Sequence, residues 1–253
     1  MKKLLCLFVA GALLSSCEKK SDDTTTDPDP TPTAPSPTVN IPGVMGSLVA
    51  VKSSSTVTVP GLGDQTTIIG TATANFSDGT STSVSAGTVE CMNQKLTSQN
   101  GAYFYKPGFT NPSGIDFDGS AVEWDVAGNG SIPAFSYNYM EEVPQIGGIT
   151  GASGDVKRSE DLTISIDMGN VSTDISSADS LMFNVIDKNG KTLMQTTAPN
   201  TTSYTFSASQ MGTLAEGFAY VQVVGYNYLL RTETGYEVAY INLGAMTKNV
   251  TLK

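Results

Sequence analysis

The sequence predicts an all-β chain, arranged as two β-sandwich modules behind a signal peptide and a disordered tether. Three observations predict it. Beyond residue 42 the chain runs in short stretches rich in Val, Ile, Thr, Tyr and Phe, divided by Gly, Asn, Asp and Pro. No long stretch there repeats apolar residues at i, i+3 and i+4, the signature of an amphipathic helix. Finally, 31 Thr and 27 Ser take the place of charged residues, which make up only 15% of the chain. Threonine, branched at Cβ, favours extended backbone.

The first forty-two residues belong to no module. Lys2 and Lys3 precede an apolar run, Leu4 to Leu14. As a helix that run would cover roughly 16 Å, too short for a hydrocarbon core of ~30 Å, so residues 1–16 are expected to be a signal peptide. The run ends in Leu14-Ser15-Ser16-Cys17, which resembles the bacterial lipobox. The resemblance implies cleavage before Cys17 and acylation of that residue with palmitate-like chains. Two or more such chains anchor a protein stably, at ~0.8 kcal/mol per buried CH₂.

Glu18-Lys19-Lys20-Ser21-Asp22-Asp23 resembles the export segment of Bacteroidota lipoproteins. That likeness implies the outer face of the outer membrane, the periplasmic face being the alternative. Residues 17–42 hold the acylated Cys and a tether with six of the twelve prolines, the rest being mainly Thr, Asp and Ser. Such a segment buries too little apolar surface to offset its ordering entropy, and in polyproline form it would reach up to about 75 Å. As a whole, the chain resembles the surface lipoproteins of Bacteroidota.

Composition excludes several function classes. The chain has no histidine, so His-based triads and His-ligated zinc are absent. Its net charge of −10 argues against nucleic acid, which is gripped by clustered Lys and Arg. Of three cysteines, Cys6 would leave with the signal peptide and Cys17 would carry the lipid that the resemblance implies, which leaves Cys91 alone in the body and expected to be a buried thiol.

The first module is assigned to residues 43–144, with candidate strands at 47–52, 66–76, 83–92, 103–105, 122–126 and 134–139. The second, 145–253, follows a glycine cluster (Gly147, Gly148, Gly151, Gly154) and offers some seven strands, the count of an immunoglobulin-like sandwich. A single larger two-sheet domain is the alternative. Asn189-Gly190 marks one hairpin, and 231–235 marks a second with a longer loop. The segment from Leu214 to Asn227, with Leu214, Gly217, Tyr220, Val221 and Val223, resembles the corner of fibronectin type III domains. Tyr220 is one residue out of phase with the valines, so either a bulge restores the phase or the corner tyrosine is missing.

The candidate sites are modest. Asp116 and Asp118, two residues apart, point the same way in an extended chain and could hold Ca²⁺. With Glu123 and Asp125 they are also the candidate acid and base of a glycoside hydrolase. Trp124 is expected in the core. Tyr226, Tyr228, Tyr236 and Tyr240 lie on the two arms of the last hairpin. They would form one ligand-binding patch if register puts both pairs on one face. Phe135, Tyr137 and Tyr139 make a similar stripe. Asp23-Thr24-Thr25 and Asp179-Ser180-Leu181 resemble Bacteroidota O-glycosylation sites. No catalytic residue is assigned and no cofactor beyond calcium. The expectation is a lipid-anchored, non-catalytic module binding a glycan, a peptide or a protein. The hydrolase and a structural or assembly component of the envelope are the alternatives.

Overall fold

The computed structural model describes residues 44–253 apart from 60, 62, 79–82 and 118–120. The strands are, in order, β1 (Gly46–Val59), β2 (Gly63–Phe76), β3 (Val89–Cys91), β4 (Gln94–Lys95), β5 (Thr97–Gln99), β6 (Ala102–Phe104), β7 (Val122–Val126) and β8 (Phe135–Tyr139). Then follow β9 (Ile149–Thr150), β10 (Asp155–Val156), β11 (Leu162–Ile166), β12 (Ser180–Asp187), β13 (Thr192–Thr197) and β14 (Ser203–Phe206). A single helical turn, α1 (Ala208–Met211), precedes β15 (Gly217–Glu233) and β16 (Tyr236–Leu252). The all-β expectation holds.

One long sheet organises the molecule, in the order β13-β12-β15-β16-β1-β2-β6-β5, with β10 beside the end of β16. β1 lies parallel to β16, and the other neighbours on this path are antiparallel. Two smaller sheets, β4-β3-β7-β8 and β14-β11-β9, complete the architecture. Each supplies one wall of a core whose other wall is the front face of the long sheet. Leu48, Ala50, Ala72, Phe76, Val238 and Tyr240 meet Val89, Trp124 and Val126 in the first core. In the second, Phe183, Val221, Val223, Met246 and Val250 meet Ile164, Ile166 and Phe206. β16 therefore feeds both cores from one face, with Val238 and Tyr240 at one end and Met246, Val250 and Leu252 at the other.

The second core lies in an immunoglobulin-like sandwich, with β9, β11 and β14 on one side and β12, β13, β15 and β16 on the other. The sandwich expectation holds, but the corner tyrosine does not. Register is unbroken from Gly217↔Leu252 to Glu233↔Tyr236, so no bulge corrects the phase and Tyr220 faces away from the core. Asp187 ties down this corner instead. Its Oδ1 accepts from the backbone N–H of Asn189 (2.8 Å) and Lys191 (2.9 Å), and its Oδ2 from that of Ala215 (2.7 Å).

One turn and one strand differ from expectation. The hairpin expected at Asn189-Gly190 holds: Gly190 takes positive φ, and Asp187 N–H donates to Lys191 O across a three-residue loop. The tight two-residue turn is Thr234-Gly235, with φ of 48° and 93°, because β15 and β16 stay paired up to it. The expected strand at 83–92 shrinks to β3, since Gly87 turns at φ 76° against the Gly128 carbonyl.

Between the two cores a row of residues crosses the front face, from Gly70 through Lys52, Gly244 and Gly225 to Leu181 at the edge of the second core, neighbours on β2, β1, β16, β15 and β12. Three of the five are glycine because backbone passes over them. The segment after β8 crosses above Gly244 and Gly225. A Cβ on Gly244 would overlap the Pro144 carbonyl, and one on Gly225 would come within 3.0 Å of Pro144 Cβ. A Cβ on Gly70 would likewise overlap the Ile115 carbonyl.

Gly244→Ala is expected to cost about 3 kcal/mol, as an overpacked site whose neighbour is unyielding backbone. Gly108→Ala, with open space around it, should change stability by less than about 0.5 kcal/mol. Urea denaturation of both variants checks this. Burial raises the pKa of Asp187, but its three backbone N–H bonds outweigh burial and hold the carboxyl below its ordinary 3.8. The unfolded chain therefore takes up the proton first on acidification. The stabilisation is full above roughly pH 5 and drains as pH falls through 3.8 and below. Asp187→Asn should flatten that acid limb in a series of melting curves.

Candidate functional site

Three loops meet where the glycine row divides the cores. The first joins β6 to β7 (105–121), the second joins β8 to β9 (140–148) and the third joins β11 to β12 (167–179). Lys52 Nζ reaches from β1 to the Phe117 carbonyl (2.9 Å) and to Gln145 Oε1 (3.2 Å), which ties the first loop to the second. Reciprocal backbone bonds between Gln145 and Asp174, and Asn170 Nδ2 donating to Gly147 O (3.0 Å), tie the second to the third. Beneath them two cross-strand neighbours, Asn227 and Asn242, hold the second loop to the sheet. Asn227 Nδ2 donates to Glu142 O (2.7 Å), and Asn242 Nδ2 donates to Glu141 O (2.6 Å). Both asparagines are buried, at 1% and 0% exposure.

The loops so fixed carry four of the large apolar side chains most open to water. Phe109 and Val171 stand fully in solvent, at 103% and 102% exposure, with Met140 at 75% and Met168 at 53%. Over the same loops the sequence carries seven acids, Asp116, Asp118, Glu141, Glu142, Asp167, Asp174 and Asp179, against a single basic residue, Lys106. Sequence reasoning singled out Asp116 and Asp118, as candidate calcium or hydrolase carboxylates, and Asp179, in a glycosylation-like tripeptide. The signal it passed over is the mirrored pair Gly225-Tyr226-Asn227 and Asn242-Leu243-Gly244, where two weak strand formers recur on both arms of one hairpin.

The hairpin tyrosines do not form one patch. Tyr226 and Tyr228 face the back of the long sheet, opposite the cores, whereas Tyr236 and Tyr240 face the front. The pairing Tyr228↔Ile241 and Leu229↔Tyr240 puts even residues of β15 opposite odd residues of β16, so the two pairs part company. Tyr240 is a core residue and joins the other stripe, with its ring centroid 4.7 Å from Tyr137 and 6.3 Å from Tyr139. Its hydroxyl donates to Glu233 Oε1 (2.9 Å), which also takes the Nε of Arg231 (2.8 Å). The Arg231 guanidinium lies 4.1 Å above the Tyr137 ring. Burial first, then the bond to Glu233, raises the Tyr240 pKa far above the usual phenol range. On the back face, Tyr228 is exposed beside Leu230, and Tyr226 is half-buried.

The candidate carboxylates among the described residues do not gather at a cleft. Asp116 is exposed between buried Ile115 and Phe117, and Asp118 lies outside the described residues. Glu123 and Asp125 alternate with buried Val122, Trp124 and Val126, and point out of the small sheet beside Glu90. Asp125 accepts from Ser136 Oγ, and Glu123 from Asn93 Nδ2. A groove of about 470 Å³ at Thr88, Lys95, Thr97, Ser98 and Tyr103 has no carboxylate among the described residues of its lining. Trp124 is fully buried in the first core, as expected. Cys91 is buried too, and burial, followed by the nearby Glu123 charge, pushes its thiol pKa far up. No group of three or more metal-ligating side chains occurs among the described residues. Ser180 opens β12, and Asp179 Oδ2 accepts the Tyr228 N–H (3.1 Å). Cys17, the signal peptide, the tether and Asp23-Thr24-Thr25 all lie outside the described residues.

No protein-family model matches the chain, and no curated protein does. Among solved structures, the N-terminal four immunoglobulin domains of Dscam1 isoform 8.4 align over 81% of this chain and 44% of that one, at 12% identity and a TM-score of 0.21. The chain thus spans less than half the length of that structure. At so low a TM-score the immunoglobulin-like assignment rests on the strand order alone.

Tyr240→Phe should cost about 1–3 kcal/mol, because it strips a hydrogen bond from a buried carboxylate. Tyr228→Phe, on the exposed back face, should stay within about 0.5 kcal/mol. Thermal melts of both variants compare them.

Proposed function

We propose that this is a lipid-anchored, surface-displayed, non-catalytic module that binds a peptide or protein partner. The observation that carries the reading is the contrast between its two candidate chemistries. Carboxylates that a hydrolase would need are scattered on an outer sheet face and a loop. Large apolar side chains, meanwhile, stand in solvent on loops braced by buried hydrogen bonds. Loops held by a rigid scaffold are the usual place for recognition. An apolar side chain left in water forgoes roughly 1.5–3 kcal/mol of burial, which a partner recovers.

The anchor reading comes from the lipobox resemblance at Cys17. Among the described residues no helix is long and apolar enough to cross a membrane, so the proposed membrane contact is the lipid. The tether would hold the folded body away from the bilayer. A glycan ligand stays with Tyr226 and Tyr228, whose pair on one sheet face is the aromatic surface best placed for stacking. Calcium stays a proposal attached to Asp116 and Asp118.

Metabolic palmitate labelling should mark the wild type and fail on Cys17→Ala. Protease added to intact cells should remove the body while a periplasmic marker survives. An unlabelled wild type would end the anchor reading, and a protected body would place it on the periplasmic face.

A further inference from the structure

The three braced loops share two properties that narrow the partner. Their apolar tips are Phe109, Met140, Met168 and Val171, all exposed. Their charged side chains are seven acids and one lysine. Lys52 also enters from β1, but its ammonium is taken up by Phe117 O and Gln145 Oε1. Of the six acids among the described residues, Asp116, Glu141, Glu142, Asp174 and Asp179 are exposed. Hydrophobic contact is thus offered inside a field of one sign.

We infer that these loops form a docking surface for a basic, apolar-studded peptide segment of a partner protein, one that alternates Lys or Arg with large apolar residues. The inference rests on the binding-module reading above and specifies its site and its ligand class. Charge complementarity selects the occupant. A second copy of this chain, at net −10, would bring acid against acid. An anionic lipid surface would be repelled in the same way. A neutral apolar partner would leave the acids desolvated and unpaired at the rim. A basic segment neutralises them while its apolar residues cover the four tips.

The surface is also prepared for binding. Backbone carbonyls of Glu141 and Glu142 are bound by Asn242 and Asn227, so their side chains project from a fixed backbone. Asp174 N–H and C=O are both held by Gln145. Little loop entropy remains to be lost on association.

The test uses the acylated full-length protein in detergent micelles and three immobilised decapeptides, alternating Lys/Leu, Lys/Ser and Glu/Leu. Lys/Leu should bind, more weakly as salt rises, and the other two should bind at least about tenfold more weakly. Phe109→Ser with Val171→Ser should weaken Lys/Leu binding about tenfold. Glu141→Gln with Glu142→Gln should weaken it and flatten its salt dependence, since the side chains change while the backbone bonds stay. Melting temperatures of both variants should match the wild type, which separates lost docking from lost folding.

Tyr228→Ser with Leu230→Ser, on the back face, should leave binding unchanged. Lys/Ser binding as well as Lys/Leu would reduce the surface to simple counter-charge and overturn the inference. Loss of Lys/Leu binding in the back-face variant, with both loop variants normal, would move the site and leave the binding-module reading standing. Failure of all three peptides overturns the inference. Failure of a wider peptide and glycan array as well overturns the module reading.

Discussion

Backbone cannot lie directly on the face of a β-sheet unless the side chains beneath it are missing. That steric rule divides this molecule. One long sheet offers a continuous front face, and β16 alone could carry a single core from end to end. Instead the chain crosses that face above Gly244 and Gly225, where Pro144 occupies the volume two Cβ atoms would need. The first core ends on one side of this crossing and the second begins on the other. Gly70 repeats the device at β2, where the Ile115 carbonyl comes too close for any side chain. Two sandwiches thus share one sheet.

A backbone that crosses a sheet between two apolar cores brings polar groups into a place with little water, and each must find a partner. Asn227 and Asn242 supply donors to the Glu142 and Glu141 carbonyls. Lys52 supplies another to the Phe117 carbonyl. The arrangement has a residual cost. The Oδ1 atoms of both asparagines are buried with no hydrogen-bond partner, as is Trp124 Nε1 in the first core. Such orphaned groups cost roughly 1–3 kcal/mol each. The fold tolerates them because the alternative, a crossing chain with unpaired carbonyls, would cost as much for every peptide unit it buries.

The same bracing links stability to recognition. With Cys91 the one cysteine of the described residues and buried as a free thiol, no disulfide stiffens the loops. Their order comes from the polar belt at the crossing and from the apolar packing on either side. Rigid, acidic loops with bare apolar tips then follow from the architecture, since the belt uses backbone carbonyls and amides and leaves most side chains pointing outward.

Local chemistry settled the fold class from sequence alone. Alternating Val, Thr and Tyr with turn residues between them leaves few options other than strands, and β7 and β12–β13 lie close to where that pattern put them. The buried fate of Trp124 was legible for the same reason, since it alternates with Glu123 and Asp125 along a strand, and that of Cys91 because a lone thiol behaves as a small apolar side chain. The lipobox resemblance at Cys17 is likewise a matter of adjacent residues. Partnership between distant segments was not legible. The parallel pairing of β1 with β16, the face on which each tyrosine pair falls, and the meeting of three loops at one row of glycines all depend on register between strands far apart in sequence. A one-residue change of register exchanges the two faces of a strand, so only the assembled sheet could decide that Tyr240 is core and Tyr228 is surface.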